Sequence, residues 1–235
     1  TFDKFSEFKN SCKINILEKS KLLQQIQRAN IKDKKIKWLN DLNDLNDSPC
    51  IFLANEFFDA LPIKQFLKKE KKWYERHVKF TNNKKLEYLD VPFDMQKFER
   101  EIKFKISYNQ KFIEYSPLAS KHLKTIINKI KINNGGVLII DYAYLERRMK
   151  NTLQAVSKHK YCDVLKGFRN SDITYNLSFN LINKMIKKFG PCSSLSTTQK
   201  KFLTKLGILD RAEMLSKNMP FSKKADIYFR IKRLI

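Results

Sequence analysis

Two acids and an amide stand together where an apolar run gives out: Asn55, Glu56 and Asp59 lie in Ala54-Asn55-Glu56-Phe57-Phe58-Asp59-Ala60-Leu61-Pro62, directly after Ile51-Phe52-Leu53. Glu56 and Asp59 are three apart, so a helical first turn would set both carboxylates on one face. Such a pair could grip a guanidinium with two parallel hydrogen bonds and aim one of its nitrogens at an electrophile. The same residues also read as plain structure, with Asn55 and Asp59 as caps and Glu56 as a surface acid. Glu18 closes one strand and opens a helix, where an acid can accept hydrogen bonds from ribose hydroxyls or simply favour the helix N-terminus. Asp141 and Tyr142 close a second apolar run, Val137-Leu138-Ile139-Ile140. His159 and Tyr161 lie in a polar stretch and read more naturally as packing or solvent residues. The three histidines are far apart, and the four cysteines form no CxxC, so neither a metal site nor a disulfide framework is expected.

Strands alternating with helices must position these residues. Residues 12–17 alternate as a short strand, and Leu22, Leu23 and Ile26 then repeat at helical spacing. A weak second strand is expected from Asp33 to near Trp38, followed by a turn over Trp38, Leu39, Asn40 and Asp41. The unbroken apolar runs 51–54 and 137–140 read as fully buried parallel strands. Between them, residues 64–80 predict an antiparallel hairpin, and 95–106 and 117–132 predict helices. The second opens on Ser116-Pro117, a cap and a first-turn proline. Residues 144–178 read as irregular, then come a helix near 179–188, a strand near 193–197 and a helical part over 199–216. This order predicts an α/β fold with a mostly parallel, doubly wound sheet covered on both faces. Ligands then sit beyond the carboxyl ends of the strands, where Glu18, the Trp38–Asp41 turn, Asn55, Glu56, Asp59 and Asp141 fall.

At 235 residues, 42% of them hydrophobic, with 18 Phe and 9 Tyr, the chain has enough apolar material for one domain with an elaborated cap. No apolar run is long enough to cross a bilayer, so a soluble chain without membrane insertion is expected. The formal charge of +24 raises the question of nucleic acid. Lys outnumbers Arg by 39 to 9, however, and Asn reaches 19, a bias typical of AT-rich coding sequence at exposed positions. The lysine runs, Lys68, Lys69, Lys71, Lys72 and then Lys84, Lys85, are short and match no nucleic-acid motif, so nucleic-acid binding is not expected.

Several of these segments, in this order, resemble the MidA-type (DUF185) S-adenosylmethionine-dependent methyltransferases, whose mitochondrial members are arginine methyltransferases that assist complex I assembly. They are ANEFFDALPIKQF with WYERHV, then IEYSP, GGVLIIDY, NTLQAVSKHKYCDVL, SDIT and TTQKKFLTKLGILDRAEML. The resemblance implies a Rossmann-like class I fold in one incomplete domain over 1–235, with an insertion at 64–112 and a cap at 144–178. It also implies S-adenosyl-L-methionine as cofactor, bound by Glu18, Trp38, Leu39 and Asn55. Asn55, Glu56 and Asp59 would be catalytic, and Asp141, Tyr142, Gln154, His159, Tyr161, Asp172 and Thr174 would line a substrate pocket or cap.

The implied partner is an arginine-bearing protein, such as a complex I subunit. A homodimer fits the family too, and the location would be a bacterial cytoplasm or a mitochondrial matrix. The alternative is a non-catalytic assembly factor binding such a subunit. Ala143 stands where the family has Gly, Asn176 where it has His, and Ser178 where it has an acid. A Gly-rich loop is expected ahead of Thr1 and a Met-Gly stretch beyond Ile235, which puts the activity of these 235 residues alone in doubt.

Overall fold

The computed structural model describes residues 5–31, 35–83, 85–167 and 170–235. Thr1, Lys84 and the expected strand start at Asp33 lie outside them. The chain opens with α1 (Ser6–Ser11), β1 (Asn15–Leu17), α2 (Lys21–Asn30), β2 (Lys37–Leu39), a 3-10 turn (Leu42–Asp44) and β3 (Cys50–Asn55). β4 (Lys64–Lys69), β5 (Lys72–Phe80), β6 (Leu86–Phe93), α3 (Met95–Glu101) and β7 (Phe112–Tyr115) form the insertion. α4 (Pro117–Asn133) leads into β8 (Gly135–Ile140). Then come β9 (Ala143–Tyr144), β10 (Gln154–Ser157), β11 (Lys160–Cys162), α5 (Val164–Gly167), β12 (Asp172–Thr174) and β13 (Leu177–Ser178). The chain ends in α6 (Phe179–Phe189), α7 (Gln199–Lys205), α8 (Ile208–Ser216) and α9 (Phe221–Leu234).

Three parallel pairs carry the α/β character: β1 with β2, β3 with β8, and β9 with β13. The insertion is an antiparallel sheet in the order β6-β5-β4-β7, so the expected hairpin is real but gains a third strand and a fourth partner. Residues 144–178 are less irregular than expected, because β11-β10-β12 forms a small antiparallel sheet there. The expected strand at 193–197 is not one, and those residues run as irregular chain between α6 and α7. The terminal helical part extends beyond Ser216 through α9.

α4 is the keel of the molecule. The Ser116 hydroxyl accepts the Ala119 N–H at 3.1 Å and Pro117 occupies the first turn, so the helix starts where the sequence indicates. Leu123 and Ile127, one turn apart, enter a core with Phe66, Ile113, Tyr115 and Met185. Ala119 and Ile126 face a second core with Leu42, Ala54, Phe58, Tyr175 and Leu177. Each fully buried side chain of this size contributes about 1.5–3 kcal/mol by leaving water, so one helix welds the insertion to the parallel strands. Asn134 at φ 63° and Gly135 at φ 132° turn the chain straight into β8.

The expectation of fully buried strands is corrected on one side. Phe52 and Ala54 of β3 pack inward, but alternation turns Ile51 and Leu53 the other way, and they are 77% and 75% exposed. Leu22, Leu23 and Ile26 of α2 are exposed as well. The β3–β8 layer is therefore covered by α4 on one face only, among the described residues.

Candidate active site

The carboxyl ends of β3 and β8 meet on one rim. Asn55 pairs with Ile140, and the Glu56 N–H continues the ladder to the Ile140 carbonyl at 2.8 Å, so Asn55, Glu56 and Asp141 emerge together. Glu18 and Lys19 follow β1, Asn40 and Asp41 follow β2, and the Lys19 ammonium donates to the Asn40 carbonyl. Buried His122 on α4 ties the two halves. It feels the charges of Asp41 and Lys19, and its ring meets Phe57, in the turn after β3, at 5.5 Å. Burial holds its imidazole below the ordinary histidine range.

The Asn55–Leu61 turn differs from the helical first turn that would put both acids on one face. Glu56 takes a left-handed φ of 46°, and no helix follows. A non-glycine residue there is uncommon and is a recurrent feature of functional turns. Glu56 is exposed, and no hydrogen bond or ion pair holds its carboxylate among the described residues. Asp59 is 5% exposed and points inward. Burial first, and then the Glu56 charge, push the Asp59 carboxyl up. Asp141 accepts the Phe58 N–H through Oδ2 and the Tyr142 N–H through Oδ1, each at 3.0 Å. Burial, followed by the neighbouring Asp59 charge, raises it to about 6.

Glu18 half-buries its carboxylate at the β1–α2 junction. Oε1 accepts the Ser20 N–H at 2.8 Å, whereas Oε2 has, among the described residues, only a 3.5 Å contact from Gln27 Nε2. Trp38 is braced, its ring N–H donating to Gln27 Oε1 at 2.8 Å and the Arg28 guanidinium lying 4.5 Å from the ring centroid. Leu39 is 3% exposed, so its side chain belongs to the core and only its backbone reaches the rim.

The small cap sheet brings four expected residues onto one face. Gln154 pairs with Thr174, and Val156 pairs with both Asp172 and Tyr161. Residues opposite each other, or two apart, share a side, so Gln154, Tyr161, Asp172 and Thr174 do too. Gln154 Nε2 donates to Thr174 Oγ1 at 3.3 Å. His159 sits apart at the hairpin tip, where Lys158 and His159 both have positive φ. Tyr142 is exposed beside Asp141. A groove of about 410 Å³ lined by Lys71, Trp73, Pro92 and Met95 lies on the insertion and includes none of the expected site residues.

The sequence reading missed a buried polar knot under the cap. Glu114 is 5% exposed, and its Oε1 accepts from Gln65 Nε2, Thr152 N–H and Leu153 N–H at 2.9–3.1 Å, while the Thr152 hydroxyl donates to Oε2. Gln65 also donates to Asn151 Oδ1 at 3.0 Å. The signal was an acid in the otherwise apolar Phe112-Ile113-Glu114-Tyr115, a strand position at which a lone charge needs partners.

Residues 1–197 match the family described as putative S-adenosyl-L-methionine-dependent methyltransferase. The chain belongs to that family. Among curated relatives, it is 27% identical over 186 residues to the protein arginine methyltransferase NDUFAF7 homolog, mitochondrial, of Caenorhabditis elegans, covering 77% of this chain and 42% of that one. The Xenopus tropicalis mitochondrial protein arginine methyltransferase NDUFAF7 is 26% identical over 91% of this chain and 55% of its own. A solved Burkholderia thailandensis protein bound to S-adenosyl-homocysteine superimposes with a TM-score of 0.72 at 20% identity, over 92% of this chain and 58% of that one. This likeness shows the fold alone, a Rossmann-like α/β one. The chain spans about half the length of the curated relatives it matches.

At this rim the residues suit the nucleoside half of such a cofactor. Glu18 offers a carboxylate oxygen with spare accepting capacity at a strand-to-helix junction, Trp38 and Leu39 lie alongside in β2 rather than in the expected turn, and the Asn55 amide is exposed at the end of β3. None of the five glycines follows β1, β2 or β3.

Proposed function

We propose that this chain is part of an S-adenosylmethionine-dependent protein methyltransferase that modifies arginine, its substrate being a complex I subunit or a related oxidoreductase protein. The observation that carries the reading is Glu56: an exposed carboxylate with no partner among the described residues, on a left-handed turn at the rim where β3 and β8 end in Asn55 and Asp141. The names of the curated relatives support arginine as the acceptor and a mitochondrial setting for their kind. In this reading the whole chain is one incomplete methyltransferase domain with an insertion and a cap.

When bound, the cofactor supplies a methyl group on a sulfonium, an electrophile for in-line displacement. Glu56 binds the substrate guanidinium, orients one nitrogen and takes its proton as the nitrogen–carbon bond forms and the carbon–sulfur bond breaks. Asn55 presents its amide to the cofactor beside that nitrogen. Asp59, turned inward, supports the turn rather than forming the outer prong of a clamp. Gln154, Tyr161, Asp172 and Thr174 offer a polar face to the substrate peptide from the cap.

The test is methyl transfer by the full-length natural protein and its Glu56→Gln variant, with cofactor affinity measured by calorimetry. The variant is expected to bind S-adenosylmethionine as the parent does and to lose roughly 10²–10⁴ in turnover, the usual contribution of a positioned acid–base group. Unchanged turnover removes Glu56 from the chemistry. Binding of an oxidoreductase subunit by parent and variant alike, without transfer by either, points instead to a non-catalytic assembly factor.

A further inference from the structure

Three consecutive backbone amides, those of Tyr175, Asn176 and Leu177, are each committed to a different piece of the molecule. The Tyr175 N–H donates to the Asp59 carbonyl at 3.2 Å, in the turn that carries Glu56, and the Leu177 N–H donates to the Tyr142 carbonyl at 2.8 Å, just past the end of β8. Between them the Asn176 N–H donates to the Thr152 hydroxyl at 2.9 Å, in the loop that leads into β10. The Tyr175 and Leu177 side chains are buried in the core that holds Phe58 and Ala119, so this strap runs through the fold and its backbone groups need partners there.

The bond at Thr152 replaces a piece of the cap sheet. β10 and β12 pair from Val156 with Asp172 to Gln154 with Thr174, and the same register continued by two residues sets Thr152 opposite Asn176. At that step the Asn176 N–H goes to a side-chain hydroxyl, while the Thr152 and Leu153 N–H groups go to Glu114 Oε1 at 3.0 and 3.1 Å. The hydroxyl has one proton to give, and it goes to Glu114 Oε2, the closer and stronger acceptor, with the Asn176 carbonyl at 3.3 Å as the weaker one. Its lone pairs stay available to the Asn176 N–H. Thr152 therefore donates to the insertion sheet, through Glu114 of β7, and accepts from the strap.

We infer that Thr152 is a positioning residue: its hydroxyl, fixed by Glu114, holds the 175–177 strap and through it sets the polar face of the cap sheet against the turn that projects Glu56. Gln154 and Thr174, the first pair of that face, stand two residues from Thr152 and Asn176, so a shift at this bond moves them together. A substrate peptide lying between cap and turn is then held in one register, which is how positioning away from the reacting atoms lowers a barrier. The hold on the turn follows from these hydrogen bonds alone, while the consequence for a substrate rests on the methyltransferase reading.

Amide hydrogen exchange read by mass spectrometry on the full-length natural protein tests it, with overlapping peptides over 172–178, over the Asn55–Leu61 turn and, as a folding control, over α4. In the parent the Tyr175, Asn176 and Leu177 amides should exchange at least about a hundredfold more slowly than open chain. Thr152→Val keeps the shape and removes the hydroxyl, and it should lower the protection of strap and turn at least about tenfold while α4 stays protected. Thr152→Ser keeps the hydroxyl and should restore most of that protection. Calorimetry with S-adenosyl-homocysteine should give one affinity for all three proteins. With a synthetic Gly-Arg-Gly peptide as acceptor, Thr152→Val should raise KM at least about fivefold and change kcat less, and Thr152→Ser should return both towards the parent. Unchanged protection in the valine variant overturns the inference, and so does a serine variant that loses protection as the valine variant does. If the valine variant does not fold, the parent decides, since strap amides that exchange there like open chain also overturn it. A peptide left unmethylated by the parent counts against the methyltransferase reading and leaves the exchange result to judge the bond.

Discussion

Glu56 and Glu114 are two carboxylates with opposite surroundings, and the contrast separates chemistry from architecture. Glu56 is exposed, strained and without a partner among the described residues, whereas Glu114 is buried and takes four hydrogen bonds from Gln65, Thr152 and Leu153. A buried acid so engaged organises the cap loop and is not available to a substrate. Removing it leaves several buried donors without acceptors, each costing about 1–3 kcal/mol. Glu114→Ala is therefore expected to lower the stability of the full-length protein by about 3–5 kcal/mol, read from the midpoint shift in urea. A loss below about 1 kcal/mol would mean that water replaces the carboxylate freely.

At the scale of elements, the join between α4 and β8 sets where the rim lies. Gly135 adopts φ 132°, and a Cβ there would fall 2.0 Å from the Cys50 carbonyl oxygen, inside the β3–β8 ladder. Gly135→Ala combines backbone strain with a clash that neither strand can relieve. It is expected to cost more than about 4 kcal/mol, seen as loss of the cooperative unfolding transition. Gly136, with open space where its Cβ would be, should accept Ala at little cost and serves as the control. The helix start at Ser116-Pro117 and its end at Asn134-Gly135 were legible because capping and left-handed chemistry are local. β6 was not legible: among the described residues, 86–93 pair only with β5, at the edge of the sheet, where a proline such as Pro92 is tolerated. The false strand at 193–197 shows the converse, since β-propensity counts only when a neighbouring edge is there to pair. At the candidate site, the strand-end positions of Glu18, Asn55, Glu56 and Asp141 were legible because the apolar runs before them give out there. The inward turn of Asp59 was not, because it depends on the Glu56 φ and on the bond from the neighbouring Phe58 N–H to Asp141, far along the chain.

Across the whole molecule, the parallel strands form separate two-stranded pieces on one side of α4, with Leu17 and Phe52 both packed on the same core. Their other side shows Ile51 and Leu53 with the exposed apolar residues of α2, while the solved relative has about two fifths of its chain beyond the superimposed part. The pieces are nonetheless held by shared packing on α4, by the Lys19 bond to the Asn40 carbonyl and by the Phe57 ring against His122. No helix among the described residues is long and apolar enough to cross a membrane. That rim is the central claim, and a crystal structure of the full-length natural protein grown with S-adenosyl-homocysteine tests it most directly. The ribose hydroxyls should bond Glu18, the adenine should lie by the Trp38–Asp41 turn, and the sulfur should face Asn55 and Glu56. A nucleoside bound elsewhere, with Glu18 still turned to Ser20 and Gln27 alone, would contradict it.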